Sequence, residues 1–345
     1  MFNADKLYSL ATAHKATLVC LNTISQKLRD RFSALDDAVH ALVLAVASGE
    51  PLLFIGPPGT GKSRLIRAFC VLTGLLKDEE RTRMNDDVAY FEYLLTPFTE
   101  PGELFGFWNF AEMQNGKMKR EGAKMMQQAK VVYLDEVFNG SSAILNSILT
   151  FMNERLFHDR GAVTPVNMEC LFGATNQVAE SPELRAVFDR FVIRCRVTNA
   201  PGKKDPLMNL VLKGWSDTYG SPLQPQTDKS IFENLKRLRA AIRSKVTAPE
   251  NTEGVCAALA QMVSTARNHN LSEVSNRRLV KFVHAMLIHR LIQGVDKGDK
   301  LADYQAHPIG PDQLHLLWRF FLDNDTDLPA VDKLRGLAEE IGKRR

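Results

Sequence analysis

The sequence predicts an α/β fold followed by a small all-helical domain. Three observations carry that prediction. A short apolar run, Pro51 to Ile55, leads into Gly56-Pro57-Pro58-Gly59-Thr60-Gly61-Lys62-Ser63, and a helical pattern, Arg64 to Leu72, follows. A second apolar run, Val131 to Leu134, ends in the adjacent carboxylates Asp135 and Glu136. Beyond residue 230 the apolar spacing is helical throughout.

The first observation has a chemical reading. Strand, glycine-rich loop and helix in that order make a phosphate-binding loop. Glycines let backbone N–H groups turn inward around the β- and γ-phosphates, and the new helix adds its positive dipole end. Lys62 neutralises phosphate as a point cation, and the Ser63 hydroxyl is placed to coordinate Mg²⁺. Gly56, Pro57, Pro58, Gly59, Thr60, Gly61, Lys62, Ser63 and Arg64 are therefore the candidate nucleotide-binding residues. In the second observation, a strand buried on both faces places its last residues at the ligand crevice of an open α/β sheet. There Asp135 is expected to join Ser63 in holding the metal, and Glu136 to polarise the attacking water.

Bulk composition bounds the rest. The chain has 345 residues and 45% hydrophobic content, enough for two domains with a sizeable core and too apolar for a disordered protein. A net charge of +4 permits contact with a polyanion without arguing for it. The five cysteines form no C-x-x-C and read as free thiols in a reducing compartment. The eight histidines show no zinc-ligand spacing. With no signal peptide and no apolar run long enough to span a bilayer, the expected location is cytoplasmic.

In chain order, residues 4–30 carry Leu7, Leu10, Leu18, Leu21, Ile24 and Leu28 near helical spacing. A second helix is expected from Leu35 to Ala47, stopped by Gly49. After the phosphate loop, residues 77–87 read as a charged loop and Val88 to Thr96 as a strand. Residues 96–130 begin with turn formers. They continue through Leu104-Phe105-Gly106-Phe107-Trp108 into a basic, Met-bearing stretch, which reads either as Phe105 and Trp108 packed under a solvated basic face or as a partner surface or pore loop.

Ser142 to Met152 repeats apolar residues as an amphipathic helix, and Leu156 to Met168 reads as a hairpin around Asp159-Arg160-Gly161. Cys170 to Asn176 is a buried strand with a polar end, where Asn176 is in reach of a γ-phosphate or the attacking water. Leu184 to Phe191 leads into a strand at Val192 to Val197. Residues 199–230, with Pro201, Pro206, Pro222 and Pro225, read as a linker. Helical faces follow around Ile231 to Ile242, Val255 to Val263, Leu279 to Leu291, and within 311–341, with Ser275 as an N-cap. The domain division expected is thus 1–198, a 199–230 linker, and 231–345.

These signatures in this order resemble an AAA+ ATPase, and more closely the MoxR family and its RavA-like members. Four segments carry the resemblance: Gly56 to Ser63; Phe91 to Thr96 with Glu103 to Gly106; Leu134-Asp135-Glu136 with Ala143 to Asn146 and Met152-Asn153-Glu154-Arg155; and Phe188-Asp189-Arg190-Phe191. The helical lid resembles the family more loosely, through Val274 to Arg278. The resemblance implies a five-stranded parallel sheet, an insert near 104–128, a hairpin near 155–168 before the sensor strand, and a hexameric ring with ATP and Mg²⁺ at subunit interfaces. It puts the sensor-1 residue on Asn176, the arginine finger on Arg190, and the sensor-2 arginine on Arg277, with Arg278 as the alternative. RavA-like proteins of full length continue into a further C-terminal domain, so contacts made by that domain do not carry over.

The expected function is ATP hydrolysis by a ring that remodels a protein partner. The resemblance suggests a von Willebrand factor A-domain protein as that partner. Two alternatives stand beside it. One is a DNA-dependent motor, using Lys117, Lys119, Arg120, Lys124 and Lys130 with Trp108. The other is a scaffold that uses ATP only to assemble.

Overall fold

In the computed structural model, residues 3–77, 89–115, 120–159, 162–176, 181–246, 255–323 and 328–343 are described. The charged 78–88 stretch, Lys117, Lys119 and the Arg160-Gly161 turn lie outside them.

The N-terminal helical pattern forms two helices, α1 (Ala4–Ala13) and α2 (Lys15–Arg31), parted at His14. Then α3 (Asp36–Ser48) ends on Gly49 in the left-handed conformation at φ 70°, a position that favours glycine because it lacks a Cβ. Strand β1 (Leu52–Ile55) leads into α4 (Lys62–Leu72). Next come β2 (Tyr90–Leu94), the short helices α5 (Pro101–Phe105) and α6 (Phe110–Gln114), and β3 (Val131–Asp135). Helix α7 (Ser142–Glu154), capped by Ser141, precedes the antiparallel pair β4 (Leu156–Asp159) and β5 (Ala162–Pro165). Strand β6 (Cys170–Thr175), α8 (Pro182–Arg190) and β7 (Ile193–Arg196) complete the α/β part.

The five strands form one parallel sheet in the order β2-β3-β6-β1-β7. Alternation along each strand feeds two cores. Leu52, Phe54, Val131, Tyr133, Phe172 and Ala174 face α3 and α4, whereas Leu53, Ile55, Val132, Leu134 and Leu171 face α7 and α8. Burial on both faces is why these strands read as unbroken apolar runs. Phe105 is buried in the second core, as expected for a packed aromatic.

The 199–230 stretch differs from its expectation as a linker. It contains a sixteen-residue helix, α9 (Lys204–Tyr219). Pro206 misled the reading, because a proline in the first helical turn removes no intrahelical hydrogen bond. The remaining elements are helical: α10 (Ser230–Lys245), α11 (Val255–Asn268), α12 (Asn276–Lys297), α13 (Leu301–Ala306), α14 (Pro311–Leu314), a π-turn at Leu317–Phe321, and α15 (Leu328–Lys343). Ser275 caps α12, its Oγ accepting from the Arg278 amide at 3.3 Å. The helices α1 and α2 also pack on α12, and one apolar core runs from the α3 side of the sheet into this region. Among the described residues, no helix is long and apolar enough to cross a membrane.

Two half-buried histidines line a cavity beside that core. His40 on α3 and His289 on α12 lie with ring centroids 5.0 Å apart and planes tilted by 31°, and Gln313 Nε2 donates to His289 Nδ1 at 3.0 Å. Burial pushes His40 down to about 2, with His289, Arg319 and Arg29 adding to it. Burial pushes His289 down to about 4, with Arg319, Lys297 and Arg290 adding and Asp312 opposing. Both rings stay neutral in the fold while the unfolded chain takes up protons below about pH 6.5. These two rings therefore add no pH dependence above that pH, and below it, as pH drops toward 4, each lowers stability by about 1.4 kcal/mol per pH unit. Denaturant unfolding measured between pH 7.5 and 5 should show this slope, and His289→Gln should make it shallower. An unchanged slope in the variant would remove His289 from the account.

Candidate active site

Strand β1 delivers the glycine loop at the sheet's carboxyl edge. The Gly56 amide donates to the Thr175 carbonyl at 2.9 Å, and a Cβ on Gly56 would sit 1.9 Å from the Val197 carbonyl oxygen. No other residue fits there. Gly59 and Gly61 adopt φ of 78° and 86°, and Gly61 is the N-cap of α4. The first amides of α4 are thereby left without intrahelical acceptors at the crevice, the arrangement that suits an anion.

Lys62 folds back over this loop. Its Nζ donates to the carbonyls of Gly56 at 2.7 Å and Pro57 at 2.8 Å. Burial pushes its ammonium below the ordinary lysine value, while the carboxylates of Asp135 and Glu136 act in the opposite direction. The loop lysine and the β3 carboxylates therefore share one electrostatic neighbourhood. Ser63 Oγ lies 3.1 Å from Tyr133 Oη. Burial raises the Tyr133 phenol well above its usual range, and a hydrogen bond to Asp135 adds to the rise. Ser63 and Asp135 present hydroxyl and carboxylate oxygens, the donor types a hard divalent cation takes.

Glu136 stands just past β3 in the left-handed conformation, φ 49° and ψ 48°. Its amide donates to Asp135 Oδ1 at 3.0 Å. Asn176 follows β6 and is exposed. Register pairs Ile55 with Thr175 and Leu134 with Gly173, so Gly56, Asp135, Glu136 and Asn176 gather at one edge of the sheet. Arg64 belongs to this edge too, but its guanidinium is turned to α9, pairing with Asp217 at 2.5 Å.

Arg190 and Arg277 lie elsewhere. Arg190 ends α8, three residues before the start of β7 at Ile193, and its Nη1 contacts its neighbour Asp189 at 3.3 Å. Asp189 also accepts from Ser275 Oγ at 3.2 Å, which brings the start of α12 to the same place. Burial lowers Arg277 from the ordinary arginine value, nearby Arg190 lowers it further, and Glu50 and Asp189 oppose. Glu50 precedes β1 whereas Gly56 follows it, a span of about 20 Å along an extended strand. Both arginines therefore sit at the edge of the sheet opposite their own phosphate loop. Arg278 is buried and committed, donating to Asp323 Oδ1 at 3.0 Å and the Phe321 carbonyl at 2.5 Å. Of the two lid arginines, Arg277 is thus the one beside Arg190.

Sequence reasoning missed Tyr133 and Asp217. Tyr133 lies two residues before Asp135, so strand alternation puts both on one face, and that signal was legible. Asp217 had no such signal, since its helix was read as a linker. In the basic stretch, the Arg120 guanidinium covers the Trp108 ring at 3.9 Å and donates to the Gly106 carbonyl at 2.8 Å. The guanidinium thus occupies one face of the Trp108 ring.

Comparison with known proteins gives three kinds of relative. A family model described as the MoxR domain in MoxR-vWA-beta-propeller ternary systems matches residues 19–240. Two uncharacterized proteins of Methanocaldococcus jannaschii are similar. One is 28% identical over 91% of this chain and 73% of its own length. The other is 27% identical over 81% and 68%. A structural protein of the Acidianus two-tailed virus is 27% identical over 57% of this chain, which spans 30% of that protein. A solved structure from Cytophaga hutchinsonii, provisionally named an ATPase, superposes with a TM-score of 0.61 over 98% of both chains at 15% identity, a likeness of fold.

Proposed function

Because the chain belongs to the MoxR family of AAA+ ATPases, we propose that it binds ATP with Mg²⁺ at Gly56–Ser63 and hydrolyses it between adjoining copies of itself. The copies form a ring, expected to be a hexamer, that remodels a protein client. The observation that carries this reading is the split of the machinery: the loop and β3 carboxylates share one sheet edge, and the two arginines occupy the other.

Bound ATP and Mg²⁺ would supply a transferable phosphoryl group and a Lewis acid to spread its charge. The chain's own residues do the rest. Amides of the Gly59–Ser63 turn and the Lys62 ammonium hold the phosphates, and Ser63 and Asp135 hold the metal. Glu136 draws a proton from the attacking water, and Asn176 helps to position it. Arg190 and Arg277 of the adjoining copy offset charge in the transition state. Arg277 is assigned to the neighbour's pocket rather than its own because of its place beside Arg190. As a client, the family model's ternary systems favour a von Willebrand factor A-domain protein.

Lys62→Ala tests the premise. Nucleotide affinity measured by calorimetry should fall about ten- to a hundredfold, since a charge-assisted contact to phosphate is worth about 1.5–3 kcal/mol. Retained affinity would move the nucleotide site elsewhere.

A further inference from the structure

All sixteen residues of α9 are described, and none of them is buried. Met208, Leu212, Trp215 and Tyr219 follow one another at helical i+4 and i+3 spacing, forming a stripe with Val211 beside it. Trp215 is 67% exposed and Tyr219 70%, and their rings touch each other with centroids 4.5 Å apart. A sixteen-residue helix with no apolar residue in the core is marginal in water. A contiguous exposed apolar stripe marks an interaction surface.

The opposite side of α9 is fixed. Lys213 Nζ donates to the Arg29 carbonyl at 2.7 Å, and Asp217 pairs with Arg31 and Arg64. Lys213 and Asp217 stand roughly 160–200° around the helix from Trp215, so anchoring them turns the stripe outward. Arg64 directly follows Ser63, which sets α9 beside the start of α4, where the phosphate loop ends. The arginine edge has an unfilled character of its own. Arg190 Nε is buried with no hydrogen-bond partner among the described residues. Val280, one turn beyond Arg277 on the same side of α12, is 72% exposed.

We propose that the apolar stripe of α9 is the seat of a second copy of this chain, the copy that presents Arg190 and Arg277 to the loop. This rests on the shared-site reading above. A head-to-tail contact that completes the site sets the arginine edge of one copy on the loop face of the next, and α9 stands on that face, held to it through Arg64. The stripe supplies the apolar area that the polar loop lacks.

The test is the double variant Leu212→Glu/Trp215→Glu in the full chain. Both side chains are exposed, so melting should match wild type. Sedimentation with a non-hydrolysable ATP analogue should show half-assembly at a concentration raised about tenfold or more. Turnover should fall in step, with the analogue's affinity for the single chain unchanged. Assembly at wild-type concentrations would overturn the proposal. So would lost analogue affinity with assembly intact, which would make the stripe a cover for the nucleotide base. Arg190→Ala separates the premise from the proposal. It should assemble as wild type does and fail to turn over, and brisk turnover by Arg190→Ala would overturn the shared site itself.

Discussion

Replacing Glu136 by glutamine is expected to lower ATP turnover by about 10²–10⁴-fold, the usual contribution of a positioned general base, while leaving nucleotide affinity intact. The reason lies in how the two β3 carboxylates differ. Asp135 is tied into the fold: its Oδ1 accepts the Glu136 amide at 3.0 Å, and it is hydrogen-bonded to Tyr133, which reaches Ser63. Glu136 has left the strand. Its left-handed backbone, φ 49°, costs about 1–2 kcal/mol for a residue with a Cβ, and that conformation turns its side chain off the strand direction. Glutamine keeps the shape and the same backbone strain, so melting temperature should not move. What it loses is the proton acceptor. Phosphate release measured beside equilibrium binding decides the matter. Wild-type turnover in Glu136→Gln would assign the water-polarising role to another residue.

The second large effect concerns Arg190. Arg190→Ala alone should reduce turnover by about 10³–10⁵-fold, the range for an arginine finger, and Lys62→Ala alone should be equally inert. Mixed in equal amounts, the two variants should regain activity. An interface that joins an intact loop from one to an intact arginine from the other forms at about a quarter of random head-to-tail contacts. The structure favours this outcome because Arg190 and its neighbour Arg277 stand at the Glu50 end of β1, away from Gly56. A mixture as dead as its components would break the shared site and leave Arg190 as a structural partner of Asp189.

How much of this was legible beforehand depended on whether the signal was local. The phosphate loop was legible because its residue types answer local demands: Gly59 and Gly61 left-handed backbone, Lys62 a charge. Strand β3 was legible because a doubly buried strand has a continuous apolar run and its end must reach the crevice. The N-cap at Ser275 was equally local. Helix α9 was not legible. Its apolar spacing was present, but proline and glycine suggested a linker, and its stripe faces solvent within one chain. Whether Arg277 or Arg278 is the sensor, and toward which copy's nucleotide it turns, was not legible, because a motif carries no direction. The bonds from Ser275 to Asp189 and from Lys281 to Glu50 show where the helix start is held.

By itself, the sequence determined which residue types meet at the glycine loop and at the end of β3. Backbone freedom, a cation and two adjacent carboxylates suit a phosphate-binding site, and these demands act over a few residues. The tertiary structure decided the allocation of parts. Which arginine is committed to Asp323, which edge of the sheet carries Arg190, and which way α9 faces are settled by contacts between segments up to hundreds of residues apart, and no local pattern encodes such distances.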